Sequence, residues 1–299
     1  MSPRHVTHVL SPISQHWVGN GFPVHTLFAY DRDPEAVSPY LLFDHAGPAY
    51  FEPTIEQRGV GAHPHRGFET VTLAFAGAVA HRDSAGGGGI IQPGDVQWMT
   101  AGDGVIHEEF HDRDWAHSGG EFHMVQLWIN LPRRHKRAPA RYQHLGAERI
   151  PTHRDAANHR LRVIAGSLEG ATGPAETFSR VLLADLTLLP KATKTIAVND
   201  ADHSPRDNLL VAVLAGDVSL PTPTGPQTVA ANHVAVTSPG DRLDLMAGIQ
   251  GAHVLLLGGE PIREPVVGRG PFVMNHAAEL AEAFADYRAG RLGHPPSYS

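Results

Sequence analysis

The chain has 299 residues, a formal net charge of -7 and 41% hydrophobic residues, which is enough for two ordinary soluble domains or one large one. It contains no cysteine, and this excludes disulfides, thiolate metal sites and a cysteine nucleophile. The acidic balance argues against direct binding of nucleic acid, which needs a basic surface.

The N-terminal stretch MSPRHVTHVLSPI lacks the uninterrupted apolar segment of a signal peptide. No run approaches the ~18 apolar residues that a membrane helix requires. We therefore expect a cytoplasmic protein that has no membrane partner.

Short apolar segments rich in Val, Ile, Thr and aromatic residues recur about every ten residues between Gly, Pro, Asp or Asn, which is typical of an all-β sandwich or barrel. The predicted strands are 70–75, 96–99, 125–130, 181–188, 209–214 and 252–257. Helices are scarce. The clearest one is predicted within NHAAELAEAFADYRAGRLG near the C terminus, with Asn275 as its N-cap.

The two halves of the chain echo each other weakly. AFAGAV (74–79) precedes QPGDVQWM, and AVLAGDV (212–218) precedes SPGDRLDL, which suggests duplication of one β-domain. Between them, LPRRHKRAPARYQHLGAERIP is polar, basic and proline-bearing, so we predict domains at 1–135 and 136–299. We interpret its basic residues as part of a solvated connector. These residues are Arg133, Arg134, Lys136, Arg137 and Arg141.

Histidine is over-represented, with 21 residues, and imidazole is the commonest nitrogen ligand of transition metals. HPHRGFETVTL (63–73) places His63 and His65 two residues apart, and such residues on a strand point to the same face. Pro64 between them lacks a backbone N–H, which predicts a strand edge, a strand start or a bulge.

PGDVQWMTAGDGVIHEEF (93–110) repeats this spacing with His107 and Glu109, and it turns Glu108 to the opposite face. Two such pairs on facing strands would bring three imidazoles and one carboxylate together. This ligand set suits Fe(II), Mn, Ni, Cu(II) or Zn, and it leaves coordination positions open for a substrate.

Glu69 complicates the choice of carboxylate, because it follows His65 by four residues and would share its strand face. It is either the fourth ligand or a supporting residue that accepts an imidazole N–H or holds Arg66. The order His-x-His-x-x-x-Glu, a turn at Gly77, Pro-Gly-Asp and a later His is the sequence layout of a cupin barrel.

Longer segments resemble one family within the cupins, the pirins. They are HPHRGFETVTL, GDVQWMTAGDGVIHEE, QLWINLP (126–132), PYLLFDH (39–45) and GEPIREPVVGRGPFVMN (259–275). The resemblance implies an all-β bicupin of two facing β-sandwich barrels with a C-terminal helix. It also implies that only the first barrel holds a metal, which agrees with the isolated positions of His203, His233 and His253.

The ligands that the resemblance implies are His63, His65, His107 and Glu109. It thus favours Glu109 over Glu69, and it implies one divalent metal, usually non-haem iron in this family, with Ni, Mn, Cu or Zn as alternatives. The sequence departs from the family at Glu108, where relatives commonly have a small residue.

Two functions follow from the resemblance. Several pirins resemble quercetin 2,3-dioxygenases, which implies an enzyme that opens a flavonol ring with O2 and releases carbon monoxide, with Glu109 as a metal ligand and the nearest base. Other pirins resemble transcriptional cofactors, which implies the alternative of a redox-sensing regulatory protein whose partner is another protein.

The remaining histidines near the two motifs are expected to have surface or hydrogen-bonded roles. They are His81, His111, His117 and His123. Trp98 and Met99 are predicted to lie in the barrel core.

Overall fold

The computed structural model describes residues 2–155, 157–198, 204 and 206–294. In chain order its strands are β1 (Val6–Leu10), β2 (His16–Val18), β3 (Phe22–Ala29), β4 (Tyr40–Phe51), β5 (Gly59–His65), β6 (Phe68–Ala76), β7 (Val79–Asp83), β8 (Gly88–Ile91), β9 (Val96–Thr100), β10 (Val105–His111), β11 (Gly120–Asn130), β12 (Arg141–Leu145), β13 (Thr152–Arg154), β14 (Arg160–Ala165), β15 (Ser167–Leu168), β16 (Ala171–Thr172), β17 (Val181–Leu188), β18 (Thr193–Ala197), β19 (Asn208–Thr222), β20 (Gly225–Ala230), β21 (Val234–Thr237), β22 (Arg242–Gly259), β23 (Val267–Arg269) and β24 (Phe272–Met274). The helices are α1 (Pro34–Val37), α2 (Arg113–Ser118) and α3 (Ala277–Arg288), with short 3-10 turns at Arg133–His135 and Ala147–Arg149.

The predicted all-β class and the C-terminal helix are confirmed. The six predicted strands lie within β6, β9, β11, β17, β19 and β22. β19 and β22 run to 15 and 18 residues, because bulges in their pairing let them bend without ending. The predicted N-cap is wrong: α3 follows His276, and the Asn275 side chain instead donates to the Pro265 carbonyl.

The first of two compact units comprises Ser14–Thr26, Leu41–Ala147 and the chain from Ile262 onward. It contains a seven-stranded sheet, ordered β12-β9-β6-β11-β4-β3-β2, and a four-stranded sheet, ordered β5-β10-β7-β8. Apolar side chains from both sheets form one core and pack them as a sandwich. This core includes Phe22, Ala74, Val79, Ile91, Phe122 and Met124.

The second unit comprises the chain up to Ile13, Leu27–Tyr40 and Glu148–Pro261. Its nine-stranded sheet follows the path β1-β21-β19-β22-β17-β14-β13, with β18 paired to β22 and β20 paired to β19. The alternating apolar residues of these strands form an aliphatic core. It includes Leu161, Leu186, Val211, Val229 and Leu256.

Both units are discontinuous in sequence, and each takes in a segment from the far end of the chain. The C-terminal helix α3 therefore belongs to the unit that holds β5 and β10. The division of the domains at residues 135 and 136 stays a prediction.

The prediction of a solvated connector at 131–151 holds for Arg133, Arg134 and Arg137, which are exposed, but not for β12 or Lys136. β12 pairs with β9 at the edge of the seven-stranded sheet. Lys136 is buried because its ammonium group finds three oxygen acceptors. Among the described residues, no helix is long and apolar enough to cross a membrane.

Candidate metal centre

The two motifs meet on neighbouring strands of the four-stranded sheet, and not on facing strands as the sequence suggested. β10 pairs antiparallel with β5, which places His107 opposite His63 and Val105 opposite His65. A bulge between Val60 and His63 adds one residue to β5. β5 is the edge strand, so the missing N–H of Pro64 is tolerated there as predicted.

The three imidazole rings form a compact cluster. The ring centroids of His63 and His107 lie 4.2 Å apart, and each of these rings is 4.8 Å from the ring of His65. Nitrogen atoms of the three rings lie within 4.8 Å of one another. This spacing lets all three converge on a single ion.

Backbone carbonyl groups orient two of these rings. His63 Nδ1 lies 2.8 Å from the Gly61 carbonyl oxygen, and His65 Nδ1 lies 3.4 Å from that of Pro271. A carbonyl accepts only from an N–H, so both rings carry their proton on Nδ1 and keep the Nε2 lone pair free for a ligand.

His107 is buried, and neither of its ring nitrogens has a hydrogen-bond partner among the described residues. A buried polar atom without a partner is costly and asks for an explanation, for which a bound ion is the simplest. Burial lowers the pKa of His107 well below its usual value. Burial, reinforced by His63, likewise lowers the pKa of His65 to about 3, so both are neutral, as metal ligands must be.

Glu109 lies on the same strand as His107, is bound by Gln126 and lies close to His81. Gln126 Nε2 donates to both carboxylate oxygens, at 2.9 and 3.1 Å. His81 Nδ1 lies 3.2 Å from Glu109 Oε1. Burial opposes the charge of Glu109, but the neighbouring imidazoles of His107 and His81 favour it, and its pKa falls well below the usual range. A negatively charged oxygen atom therefore lies within 4.8 Å of a ring nitrogen of His107.

His81 is the residue that sequence reasoning did not include in this cluster. β7 pairs with β10 so that His81 is opposite Glu109, and nitrogen or oxygen atoms of His81, His107 and Glu109 lie within 4.8 Å of one another. Its position two strands from the His-x-His motif depends on the strand order. No spacing in the sequence reveals that order.

Glu69, the alternative carboxylate, lies elsewhere. The chain turns at Gly67, which has a φ of +91°, so β5 and β6 enter different sheets and the count of alternating residues is broken. Glu69 pairs with Thr100 on β9 and accepts a 2.7 Å hydrogen bond from Thr100 Oγ1. Burial raises the pKa of Glu69 to about 7. Arg66 does not bind it either, because Arg66 pairs with Asp286.

Glu108 turns away from the cluster, as the alternation on β10 predicts. Its Oε1 accepts a hydrogen bond of 2.5 Å from Arg82 Nη2 on the neighbouring strand. The extra carboxylate that departs from the family pattern is thus compensated by an arginine.

The other histidines have structural partners. His111 Nε2 lies 2.9 Å from the Gly21 carbonyl oxygen. The Nε2 atoms of His45 and His123 lie 2.8 Å apart and share a hydrogen bond. Two histidines of the second unit, His233 and His253, have separate partners in Ala231 and Asp185. No ligand cluster is found among the described residues of that unit. His203 lies outside the described residues.

The wall beside the cluster is aromatic. His65 packs against Phe68 and Trp128, with ring centroids 5.1 and 5.4 Å away, and Phe68 and Trp128 stack on each other at 4.3 Å. His63, Gln126 and Trp128 are only partly buried, so solvent reaches their side of the centre. Trp98 and Met99 are fully buried, as predicted for core residues.

Comparison with known proteins gives a consistent picture. The pirin family model matches residues 21–129, and the model of the pirin C-terminal cupin domain matches residues 183–293. The human protein named Pirin is 34% identical over 86% of this chain and 83% of its own length. The chain Pirin-1 of Arabidopsis thaliana is 37% identical over 79% and 78%.

A crystal structure with the name quercetin 2,3-dioxygenase, from Acinetobacter baumannii, superposes with a TM-score of 0.92. It is 45% identical to this chain and covers 98% of it and 99% of its own length. The matches to both cupin domains confirm the predicted two-cupin architecture.

Proposed function

This chain belongs to the pirin family of the cupin superfamily, and from that premise we propose that it is a metal-dependent dioxygenase of the quercetin 2,3-dioxygenase type. The observation that carries the proposal is the cluster of His63, His65 and His107, in which both ring nitrogens of His107 lack a hydrogen-bond partner among the described residues. Glu109 lies in a second cluster that shares His107. The similarity to the Acinetobacter protein, by its name a quercetin 2,3-dioxygenase, supports the choice of substrate class.

The residues fit a divalent transition metal. Three imidazoles and one carboxylate offer four protein ligands, and the chain has no cysteine thiolate to compete with them. We assign Fe(II) as the native metal, and Ni, Mn, Cu and Zn are the competitors that a loading experiment compares. Once bound, the metal supplies Lewis acidity toward a hydroxyl group and electron exchange with dioxygen.

Glu109 has a second role as the proton acceptor. His81 and Gln126 flank its Oε1, whereas Oε2 is contacted by Gln126 alone. Oε2 therefore has room to accept the proton of the flavonol 3-hydroxyl group when the substrate is in place. Gln126, which donates to both oxygens, holds the carboxylate in one orientation during that transfer.

The aromatic wall suits a flat, polyhydroxylated substrate. Trp128, which is partly exposed and stacks on the buried Phe68, gives the flavonol rings an apolar surface next to His65. The partly exposed side of His63 and Gln126 is the route of entry for both substrate and O2. In the overall reaction O2 is consumed, the central ring opens and one ring carbon leaves as carbon monoxide.

The test follows quercetin consumption and carbon monoxide release by protein that is loaded anaerobically with Fe(II) and then given oxygen. His63→Ala removes a ligand, and Glu69→Gln is the matched control because Glu69 is buried in another sheet. We expect turnover in the wild type and the control, and none in His63→Ala.

Absence of turnover with iron, nickel, manganese or copper, in protein shown to contain one metal per chain, would refute the enzymatic proposal. It would favour the regulatory alternative, in which metal state controls contacts with a protein partner. If the wild-type chain takes up no metal when it is loaded, the ligand assignment is refuted instead.

A further inference from the structure

The C-terminal arm, which we define as residues 262–294, touches the chain directly after a predicted ligand. Arg66 N donates to the Pro271 carbonyl at 3.4 Å, and Val273 N donates to the Arg66 carbonyl at 3.1 Å. The same Pro271 carbonyl faces His65 Nδ1. One short backbone pairing thus joins the arm to the strand end that carries His65.

A buried ion pair fixes this contact from helix α3. Arg66 Nη1 donates to Asp286 Oδ2 at 2.7 Å, and Arg66 Nε donates to the Asp103 carbonyl at 2.5 Å. The Arg66 side chain is only 3% exposed and that of Asp286 is 11% exposed. Arg291 Nε also donates to Asp286 Oδ1 at 2.7 Å, and Arg66 Nη2 lies 3.7 Å from Asp103 Oδ1. Replacing Asp286 by asparagine therefore removes the closest carboxylate partner of a buried guanidinium, which is costly.

Lys136 binds the arm at a second point. Its Nζ donates to the carbonyl oxygens of Gly67 and Val273, at 2.8 and 3.0 Å, and to Asn130 Oδ1 at 2.7 Å. The arm also shares an apolar core with Ile106, the neighbour of His107. This core contains Phe272, Met274, Leu280, Ala283 and Leu292.

We propose that the C-terminal arm is the element that positions His65 for metal binding, with Asp286 and Arg66 as positioning residues. Carbonyl groups that accept the distal N–H of a ligating histidine set its ring orientation, and here the carbonyl belongs to the arm. Metal binding and docking of the arm are therefore coupled, and each strengthens the other by the same factor. The proposal rests on the metal site of the proposed function.

The affinity test uses the full-length chain with Asp286→Asn, titrated with Co(II) against a competing chelator. Glu282→Gln is the matched control, since Glu282 lies on the same helix but pairs with Arg137 at a side-chain exposure of 51%. We expect Asp286→Asn to weaken Co(II) binding about 10-fold, the lower end of the effect of losing a direct partner of a ligand, because Asp286 acts on His65 through Arg66 and the arm. The control should stay within about twofold of the wild type.

A second measurement needs no variant, so it holds even where Asp286→Asn fails to fold. Hydrogen exchange of the Val273 amide, which bonds to Arg66, is followed in wild-type protein with and without Co(II). Coupling predicts that Co(II) slows this exchange about 10-fold or more. Amides of the second unit that are remote from the arm serve as the internal reference.

The outcomes separate the two proposals. Wild-type protein that binds no Co(II) would contradict the metal site and hence the proposed function. Tight Co(II) binding with equal affinity in Asp286→Asn and Glu282→Gln, or with unchanged exchange at Val273, would overturn the role of the arm and leave the metal site intact.

Discussion

Glu69 and Glu109 are two buried glutamates with opposite environments, and replacing each by glutamine separates their roles. Glu109 is ionised among imidazoles, whereas burial raises the pKa of Glu69 to about 7. We expect Glu109→Gln to lose metal binding and Glu69→Gln to keep it. We also expect Glu69→Gln to change how the stability of the protein depends on pH.

The size of that change follows from the pKa of Glu69. Folding raises this pKa from 4.5 to about 7, so the folded state favours the protonated carboxyl group. The resulting stabilisation is complete below about pH 4.5 and is lost as pH rises through 7. At about 1.4 kcal/mol per unit of pKa, the difference amounts to about 3 kcal/mol.

The assay is urea unfolding of metal-free wild type and Glu69→Gln at several pH values from 4.5 to 8. Glutamine stays neutral and still accepts from Thr100 Oγ1, so the variant escapes the loss. The free energy of unfolding of Glu69→Gln minus that of wild type should rise by about 3 kcal/mol over this range. Taking the difference cancels the titration of the histidines.

A flat difference across this pH range would refute the reasoning about the burial of Glu69. Loss of the metal in Glu69→Gln, with retention in Glu109→Gln, would refute the separation of the two carboxylates. In that case the cupin layout, with Glu69 as the fourth ligand, would have to be restored.

Three further substitutions test the surroundings of the site. Gln126→Leu removes the amide that holds both Glu109 oxygens, and Co(II) titration should show binding about 10-fold weaker; unchanged affinity would deny Gln126 this role. Glu108→Gln breaks only the pair with the partly exposed Arg82, so metal content by mass spectrometry should be unchanged and stability should fall by about 1 kcal/mol or less; metal loss would place Glu108 in the site. Lys136→Met leaves three buried oxygens without their donor, and urea unfolding should show a loss of about 3 kcal/mol; wild-type stability would show that the buried ammonium contributes nothing net.

The sequence predicts the strands of this protein well because their apolar runs are bounded by turn residues. β6 and β17 lie close to their predicted ranges. The pairing of His63 with His65 and of His107 with Glu109 also needs only the alternation of one strand. Each of these predictions depends on residues that are close in sequence.

The predictions that failed depend on contacts distant in sequence. The basic composition of the connector predicts solvation, but Lys136 is buried against Gly67 and Val273, neither of which is its neighbour in the chain. Strand alternation predicts that Glu69 shares the face of His65. The turn at Gly67 interrupts the alternation, and Glu69 lies in another sheet. His81 joins the cluster through strand order alone.

The central claim is that His63, His65, His107 and Glu109 together hold one catalytic metal. A crystal of the iron-loaded chain, measured at the iron absorption edge, locates that metal directly. We predict one anomalous peak at bonding distance from a nitrogen of each of the three imidazoles and from a Glu109 oxygen. A peak outside this cluster, or none in protein that contains one iron per chain, would contradict the account.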